Sequence, residues 1–493
     1  MPRTLFRWLN RSKFAPFADL PGPEPAWPLG NAAAFGRGWP WERCADWARD
    51  HGGLVRIFLG SSPALVVSDP ALIGEILVER WTEFHKDAPC AALVPVITRD
   101  SLFISNLPAW KAARENHPLR QIPAEPWHAA LLEPLRATLG ELGRGWVERS
   151  AARPLELFDQ TQRMTFAAFA RAFWGRAVPD THYDWFQTLA RTGSWRMELP
   201  DWWNRLNWFS PRFRRARTAW YDTYQQYVRE ARARTASADS VTQADSTAVT
   251  PTGPGRGTQA IDPRVGETPC DLLHVTLAHG SPLADAQLAE ALATNYFGGV
   301  FSCSSALNTA LWQLANAPGE LARLRAALDR DLPRDQPWTL AALTRCEPLD
   351  HVIREALRIA PPVPMYFRSS PSDRETTLGG HRLPPGTNLF VMQWYAHRED
   401  RFWDDPHVFR PSRWENGFAN QHPYGSPHFF PFGRGPRACV GGDFALFHLR
   451  LALAVLVSAF DCAFTPDSRP VTEFFFGVMM PRGLRARWTP RPA

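Results

Sequence analysis

Apolar residues recur at helical spacing, opposite Arg- and Glu-rich faces, through most of the chain up to about Arg234, and prolines at Pro118, Pro179 and Pro211 punctuate the runs. Short stretches rich in apolar residues carry strand signals: LVRIFL at 54–59, ALVVS at 64–68, and NLFVMQW at 388–394 behind the turn pair Pro385 and Gly386. The proline-free span 283–316 predicts the longest helix, which at 1.5 Å per residue would cross about 50 Å, a whole domain. Its centre carries Gly298 and Gly299, each costing about 1 kcal/mol in a helix relative to alanine, so something is expected to approach the backbone there. The pattern as a whole predicts a mainly α (α+β) fold. Its small sheets draw strands from distant parts of the chain, which favours one integrated domain.

Three segments break this pattern. Residues 1–19 form a basic leader with Arg3, Arg7, Arg11 and Lys13 scattered among apolar side chains. LPGPEPAWPLGN at 20–31 is proline-rich, so fixed φ angles and missing amide donors predict an extended path over the surface. Residues 235–268 are polar, small and nearly free of large apolar side chains, and are expected to be a flexible insertion that cannot offset its ordering entropy. No repeat of 20–50 residues is visible, which leaves 20–493 as a single domain.

Composition narrows the class. Hydrophobic residues make up 45% of 493, enough for a large core, while 32 Gly and 46 Pro fall well short of low-complexity levels. The formal charge of +6 rests on arginine, with Lys13, Lys86 and Lys111 the only lysines. Without an arginine block or an interleaved aromatic stripe, no nucleic-acid partner is expected. Seven cysteines without a CxxC or regular spacing fit a reducing cytoplasm better than a disulfide framework. The leader lacks a continuous apolar stretch of signal-peptide type, and the longest apolar run, 451–460, is far short of the ~20 residues a bilayer crossing needs. A soluble or at most membrane-associated chain is expected.

Candidate chemistry concentrates at 431–460, PFGRGPRACVGGDFALFHLRLALAVLVSAF, a glycine-punctuated loop with one cysteine followed by an apolar helix. A thiolate just ahead of a helix is favoured by the dipole and by unpaired amides, so Cys439 is placed to be an anionic metal ligand. Gly435 suits a tight turn, Gly441 suits close backbone approach to the sulfur, and Arg437 adds positive charge. This loop resembles that of the cytochrome P-450 superfamily, F-x-x-G-x-R-x-C-x-G, with Phe432, Gly435, Arg437, Cys439 and Gly441 at every fixed position. The resemblance extends from about Leu20 to the C-terminal GVMMPRGLRARW. It implies the superfamily's fold, haem b (iron protoporphyrin IX) as cofactor and Cys439 as the axial thiolate of the iron.

Further motifs gain meaning from their order. EALR places Glu355 and Arg358 at i and i+3 on one helix face, as do Glu133 and Arg136, Glu141 and Arg144, and Glu320 and Arg323, where solvated pairs are expected. Only Glu355 is followed by a strand and by HREDRFWDDPHVFRPSRW, which resembles the superfamily's meander. Arg413 is thereby implied as third member of a buried structural network with Glu355 and Arg358. The resemblance likewise implies that Trp110 and Arg114 of WKAAR, with Arg368 and Arg437, hydrogen-bond the haem propionates, whose carboxylates suit forked guanidinium donors.

The long helix departs from the superfamily's pattern. Where an acid and a threonine normally assist protonation of bound dioxygen, this chain reads GGVFSC, with Phe301 in the acid position and Ser302 in place of threonine. Asn295, Gly299 and Ser302 lie at i, i+4 and i+7 and form an alternative catalytic face, on which Asn295 either orients water or substrate or packs against another element. The alternative for Ser304 and Ser305 is to bond back to the helix carbonyls.

Regions that line the substrate side in the superfamily supply Leu93, Val94, Val96, Ile97, Phe103, Phe297, Phe301, Val363, Met365, Phe475 and Phe476, almost all apolar, which suggests a hydrophobic substrate of moderate size. In ELPDWWNRLNWFSPRF the indoles of Trp202, Trp203 and Trp208 either close that pocket or touch a membrane surface. The expected function is a bacterial-type haem-thiolate monooxygenase that uses dioxygen and electrons from a separate ferredoxin or flavodoxin with its reductase. That donor is expected to meet Arg434 and Arg450. Peroxide-driven peroxygenation, rearrangement or dehydration of hydroperoxides, and a non-catalytic haem sensor are the alternatives.

Overall fold

A computed structural model describes residues 2–37, 39–86, 90–98, 101–198, 209–245, 270–475 and 477–492. The chain starts with helix α1 (Pro2–Leu9), whose Phe6 is fully buried against Phe58 with ring centroids 5.4 Å apart. The leader is therefore docked onto the body, and Phe17 and Leu20 are buried as well. Residues 21–25 then run without helix or strand beside β1, where the Arg56 amide donates to the Pro21 carbonyl at 2.9 Å.

The expected sheet forms from distant pieces. Strands β1 (Leu54–Leu59) and β2 (Ser62–Val67) make an antiparallel hairpin, β3 (Tyr366–Ser369) and β4 (Asn388–Val391) pair antiparallel, and β2 joins β4 in parallel, giving the order β1-β2-β4-β3. Leu54 to Phe58 are all buried, Arg56 included, which explains a run that does not alternate as a half-exposed strand would. The register sets Arg368 of β3 opposite Leu389 and Tyr366 opposite Val391.

Helices supply the rest of the core: α2 (Ala124–Ala152), α3 (Leu157–Trp174), α4 (Asp180–Glu198), α5 (Pro211–Asp245), α6 (Asp285–Ala315), α7 (Glu347–Ile359) and α8 (Gly442–Ala459). The predicted 283–316 helix is α6, which packs against α3, α5, α7 and α8, and every residue from Cys303 to Leu311 is buried. A helix buried around its whole circumference belongs at the centre of a fold. Among the described residues α8 alone is long and apolar enough to cross a membrane, and it is mostly buried against α2 and α6. Helix α5 continues past Thr235 to Asp245 before residues 246–269, which lie outside the described part of the chain. Ala- and Ser-rich sequence propagates a helix that is already nucleated, which is why this one outlasts its apolar pattern.

Candidate active site

The cysteine loop is shaped by its glycines before its cysteine matters. Gly435 has φ +68°, and a Cβ there would stand 2.1 Å from the Leu77 carbonyl oxygen, so no other residue fits. The loop returns on itself through the Cys439 amide, which donates to the Phe432 carbonyl at 2.7 Å. Gly441 differs from expectation: a Cβ there would meet only Leu119 at 3.6 Å, an ordinary contact, so close approach to the sulfur does not require glycine. What the sulfur receives is the Gly441 amide itself, directly before α8.

Burial pushes the Cys439 thiol up, opposed by that amide, by Arg114 and by Lys86. The expected preference for thiolate at the helix start is thus outweighed by desolvation, and a coordinating cation is what reverses the sign. Cys439 nevertheless keeps accessible surface, as a ligand that must reach a bound group requires. On α6 above it, burial and then Cys439 push the Cys303 thiol up to about 12, so the loop's sulfur and this stretch of helix are close enough to interact.

Three arginines and two indoles meet beside the loop. Arg437 lies over Trp110 at 4.8 Å and Trp81 at 5.6 Å, and its Nη1 donates to the Ser105 carbonyl at 3.4 Å. Its Nε and Nη2 are buried without a hydrogen-bond partner. Burial, then the charge of Arg368, lowers its pKa to about 10. Arg368 is itself buried, with Nη1 on the Phe367 carbonyl at 2.7 Å, and Arg114 donates to the Ala438 carbonyl at 2.8 Å. Two like charges held together out of water, one with idle N–H donors, call for an anionic group. The residues present therefore fit the propionates of the haem implied by the sequence.

Tyr366 was not singled out by sequence, yet its hydroxyl faces the carbonyls of Phe430 and Pro431 at 3.3 and 3.4 Å and ties β3 to the start of the loop. Burial, then Cys439, pushes its phenol up. His397 is likewise new: Nε2 accepts from the Phe430 amide at 2.9 Å, and burial keeps the ring neutral. No spacing marks either residue; each acts through a contact made in the folded chain.

The Glu355 network is complete and dry. Arg358 donates to both carboxylate oxygens at 2.8 and 2.9 Å, Arg413 Nε donates at 2.8 Å, and the Arg410 amide and Trp414 Nε1 each donate at 3.0 Å. Burial alone would raise the Glu355 carboxyl, but these donors and charges hold it below the usual range. Arg358 spends its remaining donors on the carbonyls of His397, Pro406 and Val408 in the meander. Trp414, the aromatic that follows the predicted Arg413, is a further member through its bond to Glu355.

On the helix side the expected face is rearranged. A Cβ on Gly299 would stand 2.3 Å from the Phe169 ring, so this glycine admits a neighbouring helix and belongs to packing. Gly298 takes the open side, with nothing within 4 Å of a built Cβ. Ser302 Oγ donates back to the Gly298 carbonyl at 2.7 Å, and Asn295 Nδ2 is buried without a partner. Ser304 and Ser305 bond outward, to Thr165 Oγ1 at 3.3 Å and the Met479 carbonyl at 2.5 Å, and not by the alternative of bonds within the helix.

Of the apolar candidates, Leu93, Val96, Ile97, Phe297 and Phe301 are buried in one cluster, with Val94 and Phe475 packed against it. Phe301 lies 4.9 Å from Phe186 and 5.2 Å from Phe475. Met365 sits in a neighbouring cluster with Trp41 and Met479, Val363 is half-buried, and Phe103 is exposed. Phe476, Trp202, Trp203 and Trp208 lie outside the described residues. Arg450, expected on a docking face, is mostly buried and paired with Asp350 at 2.6 Å, and Arg434 is half-buried with Nε on the Gly425 carbonyl.

Comparison with known proteins places this geometry. The family model for cytochrome P450 matches residues 20–485. Cytochrome P450 4V2 of Mus musculus is 34% identical over 192 residues, 38% of this chain and 35% of that protein. Cytochrome P450 3A5 of Homo sapiens is 33% identical over 178 residues, 36% and 34% of the two chains. The matched stretch thus spans little more than a third of these relatives. The protein LUTEIN DEFICIENT 5, chloroplastic, of Arabidopsis thaliana is 24% identical over 85% of this chain and 69% of its own. The crystal structure of the cytochrome P450DA heme domain superposes with a TM-score of 0.76 at 20% identity, covering 96% of this chain and 98% of that one, which shows a common fold.

Proposed function

This chain belongs to the cytochrome P450 family, with haem b as its cofactor, and from that premise we propose a haem-thiolate monooxygenase that inserts one oxygen atom from dioxygen into a hydrophobic organic substrate. The observation that carries the reading is Arg437, half-buried beside Arg368 with its Nε and Nη2 donors buried and idle, in the same loop as Cys439. When bound, the haem supplies electron transfer and the activation of dioxygen. Cys439 would hold the iron as an anionic ligand, and Arg437, Arg114, Arg368 and Trp110 would hold the propionates, with Phe432, Gly435 and Gly441 shaping the loop. Val96, Phe297, Phe301 and Phe475 exclude water from the substrate side and favour an apolar compound. Proton supply falls to Ser302 and Asn295 with ordered water, because Phe301 cannot titrate.

Electrons come in this reading from a ferredoxin or flavodoxin in the cytoplasm, a setting consistent with six free described cysteines. With Arg450 committed to Asp350, the exposed Arg120 next to Arg114 is the better docking cation. Reversing it in Arg120→Glu is expected to slow reduction by an acidic donor and to flatten its salt dependence.

The burial of Phe301 in the acid position favours one second reading, chemistry driven by peroxide or hydroperoxide without a reductant. The two separate in one experiment. A monooxygenase consumes reduced cofactor in step with product, and Ser302→Ala diverts electrons to hydrogen peroxide. Full turnover of a peroxide under anaerobic conditions, with none from dioxygen and a competent donor, selects the second reading. Screening apolar compounds by Soret shift supplies the substrate for the test.

A further inference from the structure

Side chains of α3, α4, the start of α5 and the strand Val478–Arg482 enclose a surface cavity of about 540 Å³, to which neither the cysteine loop nor α6 contributes. No aliphatic side chain lines it, so a hydrophobic substrate does not belong there. Helix α4 stands between this cavity and the Phe301 cluster. Tyr183, Gln187 and Arg191, at i, i+4 and i+8, line the cavity, while Phe186, Leu189 and Ala190 are completely buried and the Phe186 ring lies 4.9 Å from Phe301.

The most buried part of the lining is built in advance. Gln162 and Tyr183 are 2% and 8% exposed, and the Gln162 side-chain oxygen accepts from the Tyr183 hydroxyl at 2.9 Å and from Gln187 Nε2 at 2.7 Å. Gln187 Nε2 also reaches the Tyr183 oxygen at 2.8 Å, so the three side chains fix one another. Gln162 Nε2 has, among the described residues, only the Met480 sulfur at 3.9 Å. A thioether is a weak acceptor, which leaves a buried amide donor in the cavity wall nearly idle.

Charge selects what fills it. Four arginines and two aspartates line the cavity. Asp159 is taken by Arg482, which also holds Glu473 at 3.0 Å, and Arg163 lies 3.6 Å from Asp180 and 4.5 Å from the Tyr183 ring centroid. Arg191 and Arg212 pair with no anion among the described residues, against the one unpaired aspartate, Asp184. Arg212 sits in the first turn of the 35-residue α5, which carries no acidic residue, so the helix dipole adds to the positive potential. Two open guanidinium forks beside one carboxylate and a set of amides suit a molecule that carries carboxylate or phosphate together with hydroxyl groups.

We propose that this cavity binds a hydrophilic organic anion of metabolite size, its carboxylate or phosphate held by Arg191 and Arg212 and its hydroxyls by Gln162, Gln187 and Asp184. The inference rests on the cavity and not on the monooxygenase reading. The test is calorimetric titration of the full-length, haem-loaded chain with citrate and with glucose 6-phosphate, at about 0.15 M salt to screen diffuse attraction. Glucose and inorganic phosphate are the controls. At least one organic anion is expected to bind about tenfold or more tightly than either control, and to weaken at least about tenfold in Arg191→Ala with Arg212→Ala. Which of the two binds identifies carboxylate or phosphate as the recognised group. Arg214→Ala with Arg215→Ala removes the same charge from neighbouring exposed positions outside the cavity and is expected to leave binding within about twofold. Haem content and melting temperature should stay unchanged in both variants, since all four side chains are exposed. Binding of both organic anions no tighter than that of glucose or of inorganic phosphate overturns the proposal. So does an equal loss in the two double variants, because the attraction would then be a diffuse one for any anion.

Discussion

The Glu355 network and the open stretch of α6 use polar groups in opposite ways. Around Glu355 both carboxylate oxygens have donors, and Arg358 is completely buried with its donors spent on Glu355 and on the meander carbonyls. On α6, Asn295 Nδ2 and Thr294 Oγ1 are buried without partners, and Ser302 turns back on its own helix. A satisfied buried network holds one arrangement, whereas unpaired groups are ready for a ligand or water. The first region fixes the frame around the cysteine loop, and the second holds buried polar groups that the fold leaves unpaired.

The largest expected effect sits between the two. Cys439→Ser should abolish the red-shifted Soret band of the ferrous carbon-monoxide complex; a variant that keeps that band would remove Cys439 as the iron's ligand. Breaking the network should come next. Glu355→Ala is expected to cost about 3–5 kcal/mol in urea unfolding and most of the bound haem, because two buried guanidinium groups lose their counter-charge. The same spacing at Glu320 and Arg323 is a control: Arg323 is half exposed, so Arg323→Ala should cost no more than about 1 kcal/mol.

Neighbouring glycines on α6 sharpen the contrast. Gly299→Ala forces a methyl into the Phe169 ring and is expected to destabilise by about 1–3 kcal/mol. Gly298→Ala meets open space and should instead gain up to about 1 kcal/mol of helix propensity while altering the Soret response to added compounds. Equal melting temperatures for the two variants would show that the Phe169 contact is dispensable.

The smallest effect is a matter of pH. Burial holds His448 at about 4, with Nε2 3.3 Å from Thr165 Oγ1, so the folded chain keeps it neutral. The unfolded chain takes up that proton near pH 6.5, so the contribution of this residue is complete above that value and declines as pH falls toward about 4. By pH 5.5 the loss is about 1 kcal/mol. His448→Gln should remove that slope from the stability profile measured between pH 7 and 5; an unchanged slope would assign it to other buried histidines.

Much of this frame was legible in the chain. The α6 span, the three strand stretches and the cysteine loop are continuous segments whose periodicity or composition is a local property. Partners such as Trp414, His397 and Tyr366 were not, because each gains its role from a residue between 33 and 64 positions away. The misassigned glycine shows the limit most clearly. Helical spacing put Gly299 with Ser302, but which side of a helix faces a neighbour is decided by the neighbour, here Phe169 on α3.

By itself the sequence determined the elements, the loop that must contain glycine at 435, and the residue types able to hold a haem, since these follow from backbone sterics and local spacing. Tertiary structure alone decided which N–H groups of Arg437 stay unpaired, that Arg450 is spent on Asp350, and that Trp8 remains outside when Phe6 goes in. Burial and pairing depend on what the rest of the chain places alongside, and no local pattern carries that information.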